Sequence, residues 1–205
     1  FNNCTTLTSV TIPDSVTEIG GGAFFNCYWL TSVTIPDGVT EIEDETFRCC
    51  RSLTSITIPD SVTSIGVMAF EDCPSLTSVT IGNSVTSIGN NAFDRCDSLK
   101  SVYITDIAAW CNISFGNADS YPLHYPGNLY LNNELVTDLI IPDSVTSLGK
   151  WAFFNCSSLT SVTIPDSVTS IGGYAFRYCD SLTSVTIGNG VTSIGGSAFS
   201  YCDSL

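Results

Sequence analysis

A solenoid of stacked coils, with parallel β-sheets along its sides, is the structure that this 205-residue sequence predicts. The main observation is a 23-residue unit, most regular from Leu159 to Ser181, that recurs along nearly the whole chain. A fixed period of this size is typical of solenoids, in which each unit buries its apolar face against its neighbours. The leucine that opens each unit is found at Leu7, Leu30, Leu53, Leu76, Leu99, Leu159, Leu182 and Leu205.

One long unit interrupts the period, and it spans residues 99–135. Val136 takes the opening position after it, because VTDLIIPDSVTSLG repeats LTSVTIPDSVTSIG. The sequence therefore predicts one domain over residues 1–205, with regular units in 7–98 and 136–204 and one irregular, 37-residue unit that carries an insertion. Because Phe1 has the phase of a residue inside a repeat, we expect the chain to be a segment of a longer array.

Each unit predicts two strand segments joined by a turn. LTSVTI is β-branched and ends in apolar–polar alternation, which predicts a strand with Val162 and Ile164 facing inward. Proline and a short polar residue then favour a turn at residues 165–167. Val168 and Ile171 mark the second segment.

The end of each unit predicts a short helical segment. Gly172 suits a left-handed backbone position. The residues GYAFRYC after Ile171 predict one or two helical turns. Coils built in this way stack strand on strand at about 4.7–4.9 Å.

The recurring pattern LxxVxIPxxVxxIGxxAFxxC resembles the BspA-like leucine-rich repeat family over about five-sixths of the chain. The resemblance implies a right-handed coil with a parallel sheet and short helical turns. It also implies an extracellular or cell-surface protein that adheres to host matrix proteins or other cells. The unit at residues 99–135 departs from the pattern, and we expect it to keep only the first strand.

Charge and hydropathy exclude several classes of partner. The chain carries 20 acidic and 6 basic residues, a net charge of −14, which argues against nucleic acids and anionic membrane surfaces. No apolar run approaches the ~18 residues that span a bilayer. We therefore expect no membrane insertion in this segment, and no signal peptide is recognisable in it.

Eight of the ten cysteines occupy one position of the repeat and predict a ladder along the core. Buried, reduced thiols acting as small apolar groups are the favoured interpretation. Disulfides between neighbouring coils stay open as an alternative. No CxxC pair exists, so we expect no zinc site and no cofactor. The ladder consists of Cys4, Cys27, Cys50, Cys73, Cys96, Cys156, Cys179 and Cys202.

Two further columns of repeated side chains lie on the predicted surface. Outward Ser and Thr, such as Ser161 and Thr163, resemble the faces of ice-binding solenoids, although Thr is also an ordinary exposed strand residue. Turn aspartates such as Asp166 could collect calcium. Asp after Pro is equally ordinary turn chemistry, so we predict no metal.

The insertion breaks the Ser and Thr columns and concentrates aromatic residues. Asp106 is expected to cap a short helix from Ile107 to Cys111. Asn132 and Asn133 predict a hairpin turn. Aromatic, uncharged protrusions are favoured at interfaces, whereas the same rings could instead seal the cut in the core. The predicted partner-binding residues are Tyr103, Trp110, Phe115, Tyr121, His124, Tyr125, Tyr130 and Ile140.

The sequence and the resemblance together predict a non-enzymatic extracellular module for protein binding or adhesion. Near-identical units do not assemble several different catalytic roles, and His124 has no recognisable nucleophile. The expected partner is a protein or glycoprotein, with the host matrix as its candidate source. Two alternatives are head-to-tail self-association into a filament and, less favoured, ice binding through the Ser-x-Thr strand face.

Overall fold

The computed structural model describes residues 1–205 as a β-solenoid of about eight turns, which confirms the predicted fold. It has one short α-helix, and no helix is long and apolar enough to cross a membrane. The elements are β1 (Ser9–Val10), β2 (Ser32–Val33), β3 (Glu41–Ile42), β4 (Ser55–Thr57), β5 (Ser64–Ile65), β6 (Ser78–Thr80), β7 (Ser87–Ile88), β8 (Ser101–Ile104), α1 (Ile107–Cys111), β9 (Ser114–Phe115), a 3-10 turn (Ala118–Ser120), β10 (Asn128–Leu131), β11 (Glu134–Leu135), β12 (Asp138–Ile140), β13 (Ser147–Leu148), β14 (Ser161–Ile164), β15 (Ser170–Ile171), β16 (Ser184–Ile187) and β17 (Ser193–Ile194).

Two sides of the solenoid are parallel sheets in 23-residue register. Val162 of β14 lies opposite Val185 of β16, and Ile171 of β15 lies opposite Ile194 of β17. The first side carries the sheets β1-β2, β4-β6-β8-β10-β11 and β12-β14-β16. The second side carries β3-β5-β7-β9 and β13-β15-β17. Both sides are interrupted at the same place, after the irregular unit.

The third side, which we call the turn side, runs from the second strand of each coil to the next opening residue. The helical turns predicted there do not form, because every second backbone N–H donates to the neighbouring coil. Phe153 N donates to Ala175 O of the next coil at 2.8 Å, whereas Cys156 N donates to Phe153 O of its own coil at 3.4 Å. An α-helix would bond every N–H within the coil.

On the turn side, N–H groups that bond to the neighbouring coil alternate with N–H groups that bond within the coil. This alternation requires residues in the left-handed conformation, which a helix does not contain. Tyr174 and Tyr178 both have a φ of 62°, and the same two repeat positions have positive φ in the other regular coils. Non-glycine residues adopt this conformation at a cost. The hydrogen bonds between coils offset it here.

Gly172 serves a different purpose from the one that its sequence context suggested. The predicted left-handed conformation is wrong, since Gly22 is the glycine with positive φ. A Cβ at Gly172 would instead lie 2.5 Å from the carbonyl carbon of Gly149 in the preceding coil. Glycine at this position therefore permits the close approach of two backbones.

Phenylalanine and cysteine form two columns through the core. Phe47 and Phe70 stack with ring centroids 5.4 Å apart and planes within 7°, and equivalent rings repeat this contact along the coil. Six of the eight ladder thiols donate to a Phe carbonyl one coil back, as Cys73 Sγ does to Phe47 O at 3.2 Å. Cys156, in the coil that follows the irregular unit, instead contacts Tyr121 Oη. The thiols thus add hydrogen bonds between coils as well as apolar volume.

Threonine adds two more columns of hydrogen bonds at the edges of the sheets. Thr160 Oγ1 donates to Thr137 O, and Thr169 Oγ1 donates to Thr146 O, each at 3.1 Å. The same contact recurs between most regular coils. These threonines therefore link neighbouring coils through their side chains, which the sequence pattern did not predict.

The two terminal coils expose apolar side chains, because each has a neighbour on one side. Phe1 is 61% exposed at one end, and Ile194 and Leu205 are 54% and 60% exposed at the other. Head-to-tail stacking of chains through these faces stays a prediction.

Replacing Phe70 with alanine tests the phenylalanine column. Phe70 is fully buried between Phe47 and Phe93, so Phe70→Ala removes two stacked contacts and leaves a cavity. We expect the free energy of unfolding to fall by about 3–5 kcal/mol, measured by urea titration with circular dichroism. The control Thr57→Ala, on the exposed strand face, should change it by less than about 0.5 kcal/mol. Equal losses in both variants would contradict the role of the column.

Alkylation of the cysteines tests the thiol ladder. Eight thiols are buried, whereas Cys4 and Cys49 are half-buried. Burial raises the pKa of Cys50 and Cys179, and it raises the pKa of Cys156 to about 12. We expect at most two iodoacetamide adducts on the folded protein at pH 8, and ten in denaturant, by intact mass. Two adducts or fewer in denaturant would show that the eight ladder cysteines are oxidised.

The same pKa shifts predict a loss of stability in alkali. The thiols have higher pKa values in the folded than in the unfolded state, so their stabilising contribution is complete below pH 9.0. It is lost as the pH rises towards 12. The free energy of unfolding should therefore fall between pH 9 and pH 11, and it should fall less steeply in Cys156→Ala. A slope that is the same in both proteins would refute this.

Candidate functional site

The irregular unit is a 27-residue coil followed by an extra hairpin of ten residues. Ser101 of β8 pairs with Asn128 of β10, and Ser87 of β7 pairs with Ser114 of β9, each 27 residues further on. The second strand is therefore present, and the expectation that this unit keeps only the first strand is wrong. The four additional residues accommodate α1.

Helix α1 forms where the sequence predicted it, from Ile107 to Cys111. Asp106 Oδ1 accepts hydrogen bonds from Ala108 N at 2.7 Å and Ala109 N at 3.2 Å, which satisfies two free N–H groups of the first turn. The helix points Ile107, Trp110 and Cys111 into the core.

The predicted hairpin also forms, and it ends the first sheet. Asn132 and Asn133 have φ values of 52° and 66°, as a type I′ turn requires. Tyr130 of β10 pairs antiparallel with Leu135 of β11. Because β11 runs against the other strands, the coil that begins at Val136 starts a new sheet.

We call the junction between residues 99–135 and the coil at 136–158 the seam. On both strand sides the sheets end here: β11 and β12 are terminal strands on the first side, and β9 and β13 on the second. A cleft of about 400 Å³ opens on the first side, and one of about 290 Å³ on the second. The first cleft is lined by Ile107, Leu131, Glu134, Leu135, Val136, Thr137, Asp138, Leu139 and Ile140.

Three of the predicted partner-binding residues close the core at the seam. Trp110 Nε1 donates to Ala152 O at 2.7 Å, and Tyr121 Oη donates to the same oxygen at 3.2 Å. In the following coil the equivalent carbonyl, that of Ala175, accepts the N–H of Phe153. The two side chains therefore replace a backbone donor that the irregular unit does not supply.

Burial removes these three rings from any surface. Trp110, Phe115 and Tyr121 are 1%, 8% and 0% exposed, and their rings pack edge to face at 5.0–5.9 Å. Burial also raises the pKa of Tyr121, so its hydroxyl stays a neutral donor. These three rings therefore close the core where the insertion interrupts it, which was the alternative considered from the sequence.

Tyr103, Tyr130 and Ile140 lie instead on the outer face of the first side. Tyr103 and Tyr130 stack with centroids 4.7 Å apart, and Leu135 lies directly opposite Tyr130 across the hairpin. Ile140 follows on β12 and is 71% exposed, and Leu135 is 43% exposed. We call these four residues the outer row.

The outer row occupies the place of the outward threonines. Tyr103 pairs with Thr80 on one side of the seam, and Ile140 pairs with Thr163 on the other. Leu135 was not among the residues predicted to bind a partner. The antiparallel register that brings it beside Tyr130 was the missing information, although the predicted hairpin could have indicated it.

His124 and Tyr125 lie on the turn side, away from the outer row. His124 Nδ1 is 3.6 Å from Asp119 Oδ1, and the His124 ring contacts those of Tyr125 and Phe154 at 5.2 and 6.3 Å. No hydrogen bond joins His124 to a serine, threonine or cysteine side chain. The arrangement contains no nucleophile activated by this histidine.

Carboxylates near the seam are engaged with neighbouring hydroxyls. Asp138 accepts a hydrogen bond from Ser161 Oγ at 2.5 Å and another from Thr137, and these bonds lower its pKa. Among turn aspartates, Asp166 Oδ1 accepts the N–H of Asn189 in the next coil at 2.6 Å. No group of three His, Cys, Asp or Glu side chains converges as metal ligands would.

Solved structures similar to this chain are leucine-rich repeat proteins. One from Bacteroides ovatus is 31% identical, with 100% of this chain and 67% of that protein covered and a TM-score of 0.43. The Treponema pallidum leucine-rich repeat protein is 24% identical over 97% of this chain and 78% of that one, with a TM-score of 0.59. A leucine-rich cell surface protein from Faecalibacterium prausnitzii is 28% identical over 97% and 65%, with a TM-score of 0.49.

No curated protein matches the chain. The family profile described as BspA type leucine rich repeat region does match, in six copies over residues 1–120 and 126–205. Because nearly every residue of the chain lies within these matches, the resemblance noted in the sequence is confirmed, and the chain belongs to the BspA type leucine-rich repeat family.

Proposed function

We propose that the chain is a non-enzymatic binding module that holds a protein or glycoprotein partner against the outer row. The observation that carries the proposal is the place of Tyr103, Tyr130, Leu135 and Ile140, which lie where regular coils present threonine. Leu135 and Ile140 are exposed, and the two tyrosines are half-buried. Most regular coils present serine and threonine on this side, so the outer row is an apolar patch on a largely polar face.

The chemistry of the outer row suits protein recognition. Tyrosine pairs supply large contact areas with little loss of side-chain entropy, and aromatic residues are enriched at interface centres. The exposed Ile140 gains apolar burial on contact, at about 25 cal/mol for each Å² removed from water. The adjacent cleft of about 400 Å³ offers room for a partner side chain between Leu131 and Leu139.

Rigidity supports the same role. The outer row lies on strands of a packed solenoid rather than on a mobile loop, so little ordering is required on binding. β12 is the terminal strand of its sheet, which leaves its backbone groups facing the cleft available to a partner strand.

A cell-surface location and a host matrix partner belong to this proposal. The family to which the chain belongs consists of repeat proteins suited to protein interactions. One similar solved structure is named as a cell surface protein, which is a statement about that protein. The repetitive coils contribute a stable frame, and the irregular unit contributes the contact surface.

Restoring threonine in the outer row tests the proposal. The double variant Tyr103→Thr/Ile140→Thr carries at both positions the residue that regular coils carry, so the fold should be retained by circular dichroism. Wild-type protein should bind at least one member of a panel of immobilised host matrix glycoproteins in biolayer interferometry. The double variant should bind it at least 10-fold more weakly, because each lost anchor costs roughly 1 kcal/mol or more.

The matched control is Thr57→Ser, a change on the same face two coils before Tyr103. It should leave the dissociation constant unchanged. Equal binding by the double variant would remove the outer row from the interface. Failure of the wild-type protein to bind every matrix protein would contradict the proposed partner class.

A further inference from the structure

A second cluster, on the turn side after the seam, combines a cation with flat aromatic rings. Arg177 lies over three tyrosines, with its Cζ at 5.3 Å from the ring centroid of Tyr174, 4.6 Å from that of Tyr178 and 5.0 Å from that of Tyr201. Trp151, which belongs to the preceding coil, stacks on Tyr174 with ring centroids 6.2 Å apart and planes within 7°. We call these five residues the arginine cluster.

The repeat supplies an internal comparison for Arg177. Arg48 occupies the same repeat position and is also half-buried, and it forms two ion pairs. Its Nη1 is 2.8 Å from Glu45 Oε1, and its Nε is 2.7 Å from Glu71 Oε2. One guanidinium at this position is therefore neutralised by two carboxylates of the chain.

Around Arg177 the positions equivalent to those two carboxylates hold Tyr174 and Ser200. Arg177 has no ion pair, although the chain contains 20 acidic residues. Arg95, Lys100 and Lys150 are also unpaired, but they are exposed, so water solvates them. Arg177 is thus the half-buried cation whose counter-charge is missing.

The hydrogen bonds of Arg177 are incomplete as well. Nη2 donates to Tyr178 Oη at 3.0 Å, and the buried Nε has no partner. Nη1 makes no hydrogen bond and is not buried, so it faces solvent. A guanidinium offers five N–H donors in a planar fork that matches the two oxygens of a carboxylate. Stacking on rings stabilises the cation only in part.

The rings around Arg177 form flat platforms with polar rims. Tyr178 and Tyr201 stack with centroids 4.9 Å apart, and Tyr201 is 57% exposed. The C–H face of a pyranose ring packs against such an aromatic face. The phenolic hydroxyls at the rim can exchange hydrogen bonds with sugar hydroxyls. A cation beside such rings selects a sugar that carries negative charge.

We propose that the arginine cluster binds a carboxylate-bearing sugar residue of a glycan, such as a uronic or sialic acid. The sugar carboxylate pairs with the free side of the Arg177 guanidinium, in the role that Glu45 and Glu71 have at Arg48. The sugar ring packs on the exposed ring of Tyr201. This site lies on a different side of the solenoid from the outer row, and it does not depend on the function proposed there.

Isothermal titration calorimetry with the 205-residue protein tests the site. The probes are tri-galacturonic acid and sialyllactose, which distinguish the two kinds of acidic sugar, with lactose as the neutral control. We expect saturable binding of at least one acidic sugar and none of lactose. Arg177→Gln should weaken that binding at least 10-fold, and Tyr201→Ser should weaken it several-fold.

Two controls separate this site from general electrostatics and from the outer row. Arg95→Gln removes the same charge from an exposed, unpaired arginine and should leave the affinity unchanged. Tyr103→Thr/Ile140→Thr should also leave it unchanged, so failure of the function proposed above does not affect this result. Thermal unfolding of each variant by circular dichroism verifies that it is folded.

Three outcomes would overturn the proposal. The first is the absence of binding of either acidic sugar by the wild-type protein at millimolar concentration. The second is equal weakening by Arg95→Gln and Arg177→Gln, which would indicate unspecific attraction. The third is binding of a tri-glutamate peptide as tight as that of the acidic sugar, which would assign the cluster to acidic peptides.

Discussion

Hydrogen bonding between neighbouring coils, on all three sides of the solenoid, is the constraint on which the rest of this structure depends. On the strand sides it is the parallel ladder, and on the turn side it is the bond from each second N–H to the next coil. The left-handed residues, the close glycines and the donor columns of Thr and Cys all serve this one pattern. The residues that recur every 23 positions do so because they contact the neighbouring coil.

The sequence predicted the fold well because period and apolar pattern are properties of the whole stack. It predicted the turn side poorly, because GYAFRYC has the local composition of a short helix while its N–H partners lie in another coil. Gly172 shows the same limit, since glycine suits both a left-handed residue and a close contact. The second strand of the irregular unit escaped notice because Ser114 and Phe115 are displaced by the four additional residues that accommodate α1.

The break in the 23-residue period located the irregular unit, and its aromatic composition made it the candidate site, which stays a prediction. Aromatic composition could not separate Trp110 and Tyr121, whose polar atoms satisfy the Ala152 carbonyl, from Tyr103 and Tyr130, which face outward. That separation depends on a 27-residue register that only the folded chain reveals. Arg177 was overlooked because in sequence it occupies the same repeat position as Arg48, and the two differ in their partners: Glu45 and Glu71 pair with Arg48, whereas no carboxylate pairs with Arg177.

The seam also divides the molecule mechanically. From β4 to the seam, and again after it, neighbouring coils are coupled by ladders on both strand sides, whereas β11 and β12 do not pair, and neither do β9 and β13. Side-chain packing and a few turn-side hydrogen bonds hold the two parts together across the seam. Examples are Asn155 Nδ2 donating to His124 O and Gly127 N donating to Asn155 O. In a stack whose stability comes from nearest neighbours, the weakest interface sets where cooperative unfolding units separate. The irregular unit therefore divides the rod into two segments, and tension along the axis would first extend the protein at the seam, beside the outer row.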